Sequence, residues 1–268
     1  MRELTFGFSP CPNDTFAFHA LVHGLVNAPA RIRPVLLDIE ELNRRAHDGA
    51  FDLTKLSVGA FAAAGSRYTL LRSGAALGMG VGPLVVAREA QSLAQAARGR
   101  LAIPGRETTA YRLLRLAAPE LTEVVELRYD RILRAVANGD VDAGLIIHES
   151  RFTYAEHGLV QVLDLGDWWE RTTGLPVPLA GICARRDLDA TLRVDLERAI
   201  RDSVQYAFDH PEASRDYVRA HAQEMSPEVC ARHIALYVNA HSLDIGDEGL
   251  AAMQRLAGGT AQWYGYTA

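Results

Sequence analysis

A chain of 268 residues, 49% hydrophobic and 23% charged, has the length of two ordinary domains or one large one and the composition of a globular protein with a substantial core. Its formal net charge of −5 argues against nucleic acid or an anionic membrane as partner, because the arginines near residues 31–33, 44–45 and 185–186 are interspersed with acids or apolar residues. No run approaches the ~18 apolar residues of a membrane span, the N-terminus lacks the apolar core of a signal peptide, and Cys11, Cys183 and Cys230 suit neither a metal site nor a disulfide framework, so a cytoplasmic location is expected.

Thr5 to Phe8 read as a first short strand, stopped by the prolines and turn formers of Ser9-Pro10-Cys11-Pro12-Asn13-Asp14. From Asp14 onward Phe18, Leu21, Val22 and Leu25 recur at helical spacing, with Asn13 or Asp14 as the expected cap. Free N–H groups at such a helix start favour an anionic or carbonyl group beside the strand end. An ordinary strand-to-helix connection has the same outline, but here two prolines stiffen the chain around a single thiol. Val35 to Ile39 are expected as the second strand and Glu40 to Asp48 as a short helix ended by Gly49. Phe51 to Ser57 form the third strand and empty into the small residues Val58 to Gly65. Lys55 within it is either a snorkelling surface lysine or a substrate contact, and Ser57 at its end is a hydrogen-bond donor of the same standing.

Four glycines between Gly74 and Gly82 precede a strand at Pro83 to Ala87. They lack the spacing of a dinucleotide-binding turn and are expected to form a flexible or close-packed crossing. A helix at Leu93 to Ala97, a strand at Leu101 to Ile103 and a turn at Pro104 to Glu107 follow, then a helix opened by Thr108 or Thr109. Either threonine is the N-cap, and the free amides there suit an oxygen-rich ligand. Val124 to Leu127 make a strand, and Asp130 is expected to cap a helix that runs through Val136 and ends at Gly139.

Ala143 to Ile147 are a continuous apolar run, expected as a parallel-sheet strand covered on both faces. It delivers His148 to a carboxyl strand end, where ligand crevices lie in open α/β sheets, and imidazole titrates in the range that general acid/base work needs. The plainer reading has His148 capping the strand. Phe152 to His157 form a brief helix, Val160 to Leu165 a strand, Trp168 and Trp169 a packing anchor, and Leu179 to Ala184 a further strand. Leu192, Leu196, Ile200, Val204 and Phe208 then make one apolar helical stripe, and further helices are expected from Pro211, from Ser226-Pro227-Glu228 and from Gly246-Asp247.

Strands alternating with helices to about residue 184, then helices only, indicate an α/β fold. The passages at residues 74–87 and 174–181 bracket a smaller lobe at 87–180, leaving 1–86 and 181–268 as a larger discontinuous lobe. A cleft between such lobes would be lined by the Ser9 loop, with Asn13, and Ser57 on one side and by Thr108, Thr109 and His148 on the other.

Ser9 to Phe16 (SPCPNDTF), Asp52 to Ser57 (DLTKLS), Gly82 to Val86 (GPLVV), Thr108 to Ala110 (TTA) and Asp142 to Glu149 (DAGLIIHE) resemble the 1,4-dihydroxy-6-naphthoate synthases of the futalosine route to menaquinone. The resemblance runs from residue 6 to about 186. It implies a periplasmic-binding-protein-like fold of type II, with two α/β lobes around a cleft. The implied activity converts cyclic dehypoxanthine futalosine to 1,4-dihydroxy-6-naphthoate with release of dihydroxyacetone, without metal or redox cofactor. Carried over by position, His148 is the catalytic base, and Lys55, Leu56, Ser57, Thr108 and Thr109 are substrate contacts, joined by Ser9 and Asn13 from the first loop. Val81 stands where cysteine is expected and Ala180 where glycine is expected. The competing readings are a chorismate dehydratase of the same pathway, a non-catalytic solute-binding protein, and a cysteine enzyme built on Cys11. Glu149 and Arg151 stand beside the base as charge-balancing or turn-packing neighbours.

Overall fold

A computed structural model describes residues 2–222 and 226–258. The chain divides into two compact units, Met1–Gly78 with Pro178–Ala268, and Met79–Val177. The first unit opens with β1 (Glu3–Phe8), α1 (Pro12–Val22), β2 (Arg31–Leu36), α2 (Ile39–Ala46), β3 (Leu53–Ser57), α3 (Val58–Ala64), β4 (Tyr68–Leu70) and β5 (Ala76–Gly78). The second contains β6 (Leu84–Ala87), α4 (Leu93–Ala96), β7 (Arg100–Ile103), α5 (Thr109–Ala117), β8 (Glu123–Glu126), α6 (Tyr129–Asn138), β9 (Ala143–Ile146), α7 (Ser150–Thr153), β10 (Val160–Asp164) and α8 (Leu165–Thr173). β11 (Val177–Arg185) leads back, and α9 (Ala190–Asp209), α10 (Arg215–His221), α11 (Pro227–Tyr237), α12 (Ala240–Leu243) and α13 (Gly246–Ala257) complete the first unit. No helix among the described residues is long and apolar enough to cross a membrane.

In the first unit the sheet order is β2-β1-β3-β11-β4, with β5 paired to β11. β1 runs parallel to β2 and β3, and β11 is antiparallel to β3 and β4. Apolar side chains at alternate positions of β1 set the core. Phe6 lies 4.9 Å from Phe8 and 5.0 Å from Phe18 of α1 between ring centroids, and Phe8 lies 5.4 Å from Phe18. Each buried ring contributes roughly 1.5–3 kcal/mol, enough to fix α1 against β1 and so to set where its first turn points. On its other side α1 packs on α9, where the Ser203 hydroxyl donates to Ala17 O at 2.8 Å and accepts from Leu21 N at 3.0 Å.

The second sheet has the order β10-β6-β9-β7-β8. All four residues of β9 are buried, as the apolar run implies, but β9 is parallel only to β7 and antiparallel to β6. β6 pairs with β9 and β10, which places it in this unit, ahead of the crossing expected at residue 87. Gly144 in β9 allows close helix packing: a Cβ there would lie 2.6 Å from Ile132 and 2.7 Å from Val136, so α6 settles directly on the strand. At the unit's edge a Cβ on Gly166 would lie 1.8 Å from the Val81 carbonyl oxygen, which makes glycine obligatory there.

Several local expectations shift for identifiable reasons. β2 begins at Arg31 and contains Pro34, because it is an edge strand and proline is tolerated on an edge. The small residues after Ser57 form α3, since alanine favours helix once a strand has ended. The glycine-rich stretch contains β5, held on β11. The helix expected from Pro211 starts at Arg215. Asp164 closes β10 as expected and also caps α8 by accepting from Gly166 N and Asp167 N at 2.8 and 3.1 Å, so that Leu165, expected in the strand, opens the helix. Trp169 of α8 is the expected packing anchor, buried with its indole N–H donating to Pro176 O at 3.0 Å.

Candidate functional site

Each unit places polar side chains at the carboxyl ends of two neighbouring parallel strands. In the second unit the strands are β7 and β9, paired at Leu101↔Ala143 and Ala102↔Gly144. β9 ends at Ile146 with His148 two residues on, and β7 ends at Ile103 before the turn to Thr108. Thr108 is the N-cap of α5. Its hydroxyl accepts from Tyr111 N at 3.1 Å and donates to Gly105 O at 2.8 Å, while Thr109 is the buried first residue of the helix.

His148 has φ +57°, the one non-glycine residue with positive φ among the described residues. The left-handed region costs an L-residue roughly 1–2 kcal/mol, and strain of this kind gathers where a side chain must point in a set direction. The close seating of α6 on Gly144 carries Tyr129 to this turn. Its ring meets the imidazole at 5.1 Å between centroids and 71° between planes, an edge-to-face contact that holds the ring orientation.

The neighbours of His148 differ in role. Glu149 is mostly buried, its Oε2 has no hydrogen-bond partner, and burial pushes its carboxyl up to about 7, with the charge of Asp130 acting in the same direction. Asp130 remains ionised because Arg128 donates to it from Nε at 2.7 Å, holding its carboxyl below the usual range. Asp130 does not cap α6 as expected; Arg128 occupies that position. Arg151 turns away to brace the unit, donating from Nη1 to Gly82 O at 2.7 Å and from Nη2 to Asp164 Oδ2 at 3.2 Å.

In the first unit the strands are β1 and β3, paired at Phe6↔Leu53 and Gly7↔Thr54. Neither Asn13 nor Asp14 caps α1. Cys11 holds that position with Pro12 at N1, where a missing N–H is harmless, and its thiol is buried and makes no cap hydrogen bond. Asp14 instead occupies the negatively charged place that the helix start favours. Its Oδ2 accepts from Ser9 N at 3.1 Å and Ser9 Oγ at 2.7 Å, and its Oδ1 accepts from Asn13 Nδ2 at 2.8 Å and from Lys55 Nζ. Lys55 and Asp14 are 5% and 2% exposed, so this ion pair is buried and the snorkelling alternative does not hold. Of the three ammonium hydrogens of Lys55, one faces Asp14. Ser57 is clamped by Asn43, which donates to its Oγ and accepts from its N, both at 3.0 Å.

Asn43, Tyr129 and His233, whose Nε2 meets Asn13 Oδ1 at 3.0 Å, were not legible as site neighbours from the sequence. Composition held a signal for the pair at the centre. Lys55 is the chain's single lysine, the other 27 of its 28 basic residues being arginine. A chain that otherwise uses guanidinium throughout places a compact ammonium at this position, where no arginine is buried among the described residues.

A family model described as menaquinone biosynthesis matches residues 4–262. The chain is 60% identical over 257 residues to the 1,4-dihydroxy-6-naphthoate synthase of Thermus thermophilus, covering 96% of this chain and 93% of that protein. Among solved structures, protein AF1704 of Archaeoglobus fulgidus is 38% identical with a TM-score of 0.90 and 95% of each chain covered. The Candida albicans CA3427 product, which exhibits the generic periplasmic binding protein fold, is 14% identical with a TM-score of 0.72, covering 100% of this chain and 92% of that one. The two sheets and their helices accordingly form a periplasmic-binding-protein fold.

Proposed function

The chain belongs to the menaquinone-biosynthesis family of 1,4-dihydroxy-6-naphthoate synthases, and from that premise we propose that it converts cyclic dehypoxanthine futalosine to 1,4-dihydroxy-6-naphthoate and dihydroxyacetone with His148 as general base. The observation that carries the role of His148 is its backbone. A non-glycine residue held at φ +57° beyond a buried strand, with its ring braced by Tyr129, is constrained for direction and not for packing.

In this reading neutral His148 takes a proton from the spirocyclic substrate. The ring opens, the carbon–carbon bond to the sugar-derived fragment breaks, and its electron pair is absorbed as the naphthalene becomes aromatic. The proton held by the imidazolium ends on the products, so no oxidant, reductant or metal enters the balance. Thr108 and Thr109 contact the substrate from the start of α5, where the positive end of the helix dipole favours oxygen atoms. Lys55, Leu56 and Ser57 contact it from the end of β3, the lysine through its ammonium group. Ser9 and Asn13 support that contact by holding Asp14. A cytoplasmic location belongs to the same biosynthetic reading.

Mass analysis after incubation with cyclic dehypoxanthine futalosine tests the proposal. Loss of substrate with matching amounts of the naphthoate and dihydroxyacetone is expected from the wild type and not from a folded His148→Asn variant. Substrate recovered unchanged from the wild type would overturn it and favour a binding protein, and turnover by the Asn variant would remove His148 as base.

A further inference from the structure

We propose that His233 is a positioning residue for the Lys55 ammonium, acting through the Asn13 amide and the Asp14 carboxylate. His233 lies on α11, fully buried, and its ring packs against Tyr237 at 4.7 Å between centroids. The direction of each hydrogen bond in the chain follows from its one unambiguous member. Asp14 is a pure acceptor, already taking donors from Ser9 and Lys55, so the Asn13 group that meets it at 2.8 Å is the NH₂. The Asn13 carbonyl oxygen therefore faces His233, and the ring nitrogen 3.0 Å away carries a proton. His233 Nε2–H donates to Asn13, Asn13 donates to Asp14, and Asp14 holds Lys55.

The relay matters because Asp14 Oδ1 is shared. An Asn13 amide that lost its anchor could rotate about χ2 and withdraw its NH₂, leaving Lys55 to settle against an under-satisfied oxygen. Asn13 has no second described side-chain partner for its Oδ1. His233 stands 220 residues away in the helical part of the chain, where the motif resemblance no longer reaches, and it ties that part to the Ser9 loop.

The inference rests on Lys55 contacting substrate only where kinetics are concerned, and two readouts keep the parts separate. Because Lys55 is the single lysine, protein grown with lysine carrying ¹³C at Cε gives one side-chain resonance from the substrate-free enzyme. His233→Leu removes the donor, His233→Asn keeps polarity but stops short of Asn13, and His233→Gln returns an N–H at nearly the same reach. The Lys55 resonance is expected to move in the Leu and Asn variants and to return to its wild-type position in Gln. In the same variants KM for the futalosine derivative should rise about three- to tenfold, with a smaller change in kcat, and recover in Gln. A resonance unmoved in Leu and Asn, or moved equally in Gln, would overturn the positioning role. A resonance that follows the expected pattern while KM stays constant upholds the positioning role and removes Lys55 from the substrate contacts.

Discussion

Tyr129 meets His148 edge to face at 5.1 Å between ring centroids, and the histidine is held there with φ +57°. The contact exists because Gly144, in the strand that leads to His148, lets the helix that carries Tyr129 approach the sheet. A directional constraint at His148 thus has its origin in a missing side chain four residues before it.

The left-handed backbone predicts an inverted order of stabilities at position 148. In most settings glycine is less stable than alanine by about 0.5–1 kcal/mol. Here His148→Gly should be more stable than His148→Ala by about 1 kcal/mol in urea unfolding, because only alanine retains the Cβ penalty. Both should lose turnover. An alanine variant as stable as the glycine variant would show that the backbone is not strained.

Lys55 and Asp14 predict a strong coupling. Removing one member of a buried ion pair typically costs about 3–5 kcal/mol, since the other charge is left buried alone. Asp14→Ala is expected to fall in that range by denaturant unfolding, and the double variant with Lys55→Met to be less destabilised than the sum of the two singles. Additive effects would mean that the pair is not coupled in solution.

Glu149 predicts a pH-dependent loss of stability. Its carboxyl titrates near 7 in the folded protein against an ordinary value of 4.5, so between these values the native state binds the proton that the unfolded chain has released. Stability is therefore fully present below about pH 4.5 and falls as pH rises through 7, by up to about 3 kcal/mol. Glu149→Gln should match the wild type near pH 4 and exceed it in urea midpoint at pH 8.5. Equal midpoints at both pH values would place the carboxyl in water.

Gly166 predicts a fold-breaking substitution. The Cβ of Gly166→Ala would sit 1.8 Å from Val81 O, a backbone atom that cannot swing aside, and the loss should exceed about 3 kcal/mol. Gly158→Ala is the control: nothing lies within 4 Å of its Cβ, and only its φ of +70° is strained, at about 1 kcal/mol. Thermal unfolding of the two variants side by side separates steric conflict from backbone strain.

Much of the fold was legible because its signals are local. The apolar run at Ala143 to Ile146 is a buried strand, Ser226-Pro227 starts a helix with the serine accepting from Val229 N at 3.1 Å, and Thr108 is a cap. Errors fell where neighbours decide. Pro34 is tolerated because β2 has only one partner strand, and Asp130 leaves its expected cap to pair with Arg128.

The sequence by itself determined the alternation of strands and helices and the polar residues that end the strands, because periodicity, turn formers and caps act over a few residues. It pointed to His148 and to Lys55 through Ser57 for that reason. Only the tertiary structure decided that Lys55 meets Asp14 across 41 positions, that Asn13 meets His233 across 220, and that Tyr129 braces a strained His148. Those relations depend on which strands become neighbours and how near a helix can approach a glycine, and no window of sequence contains either.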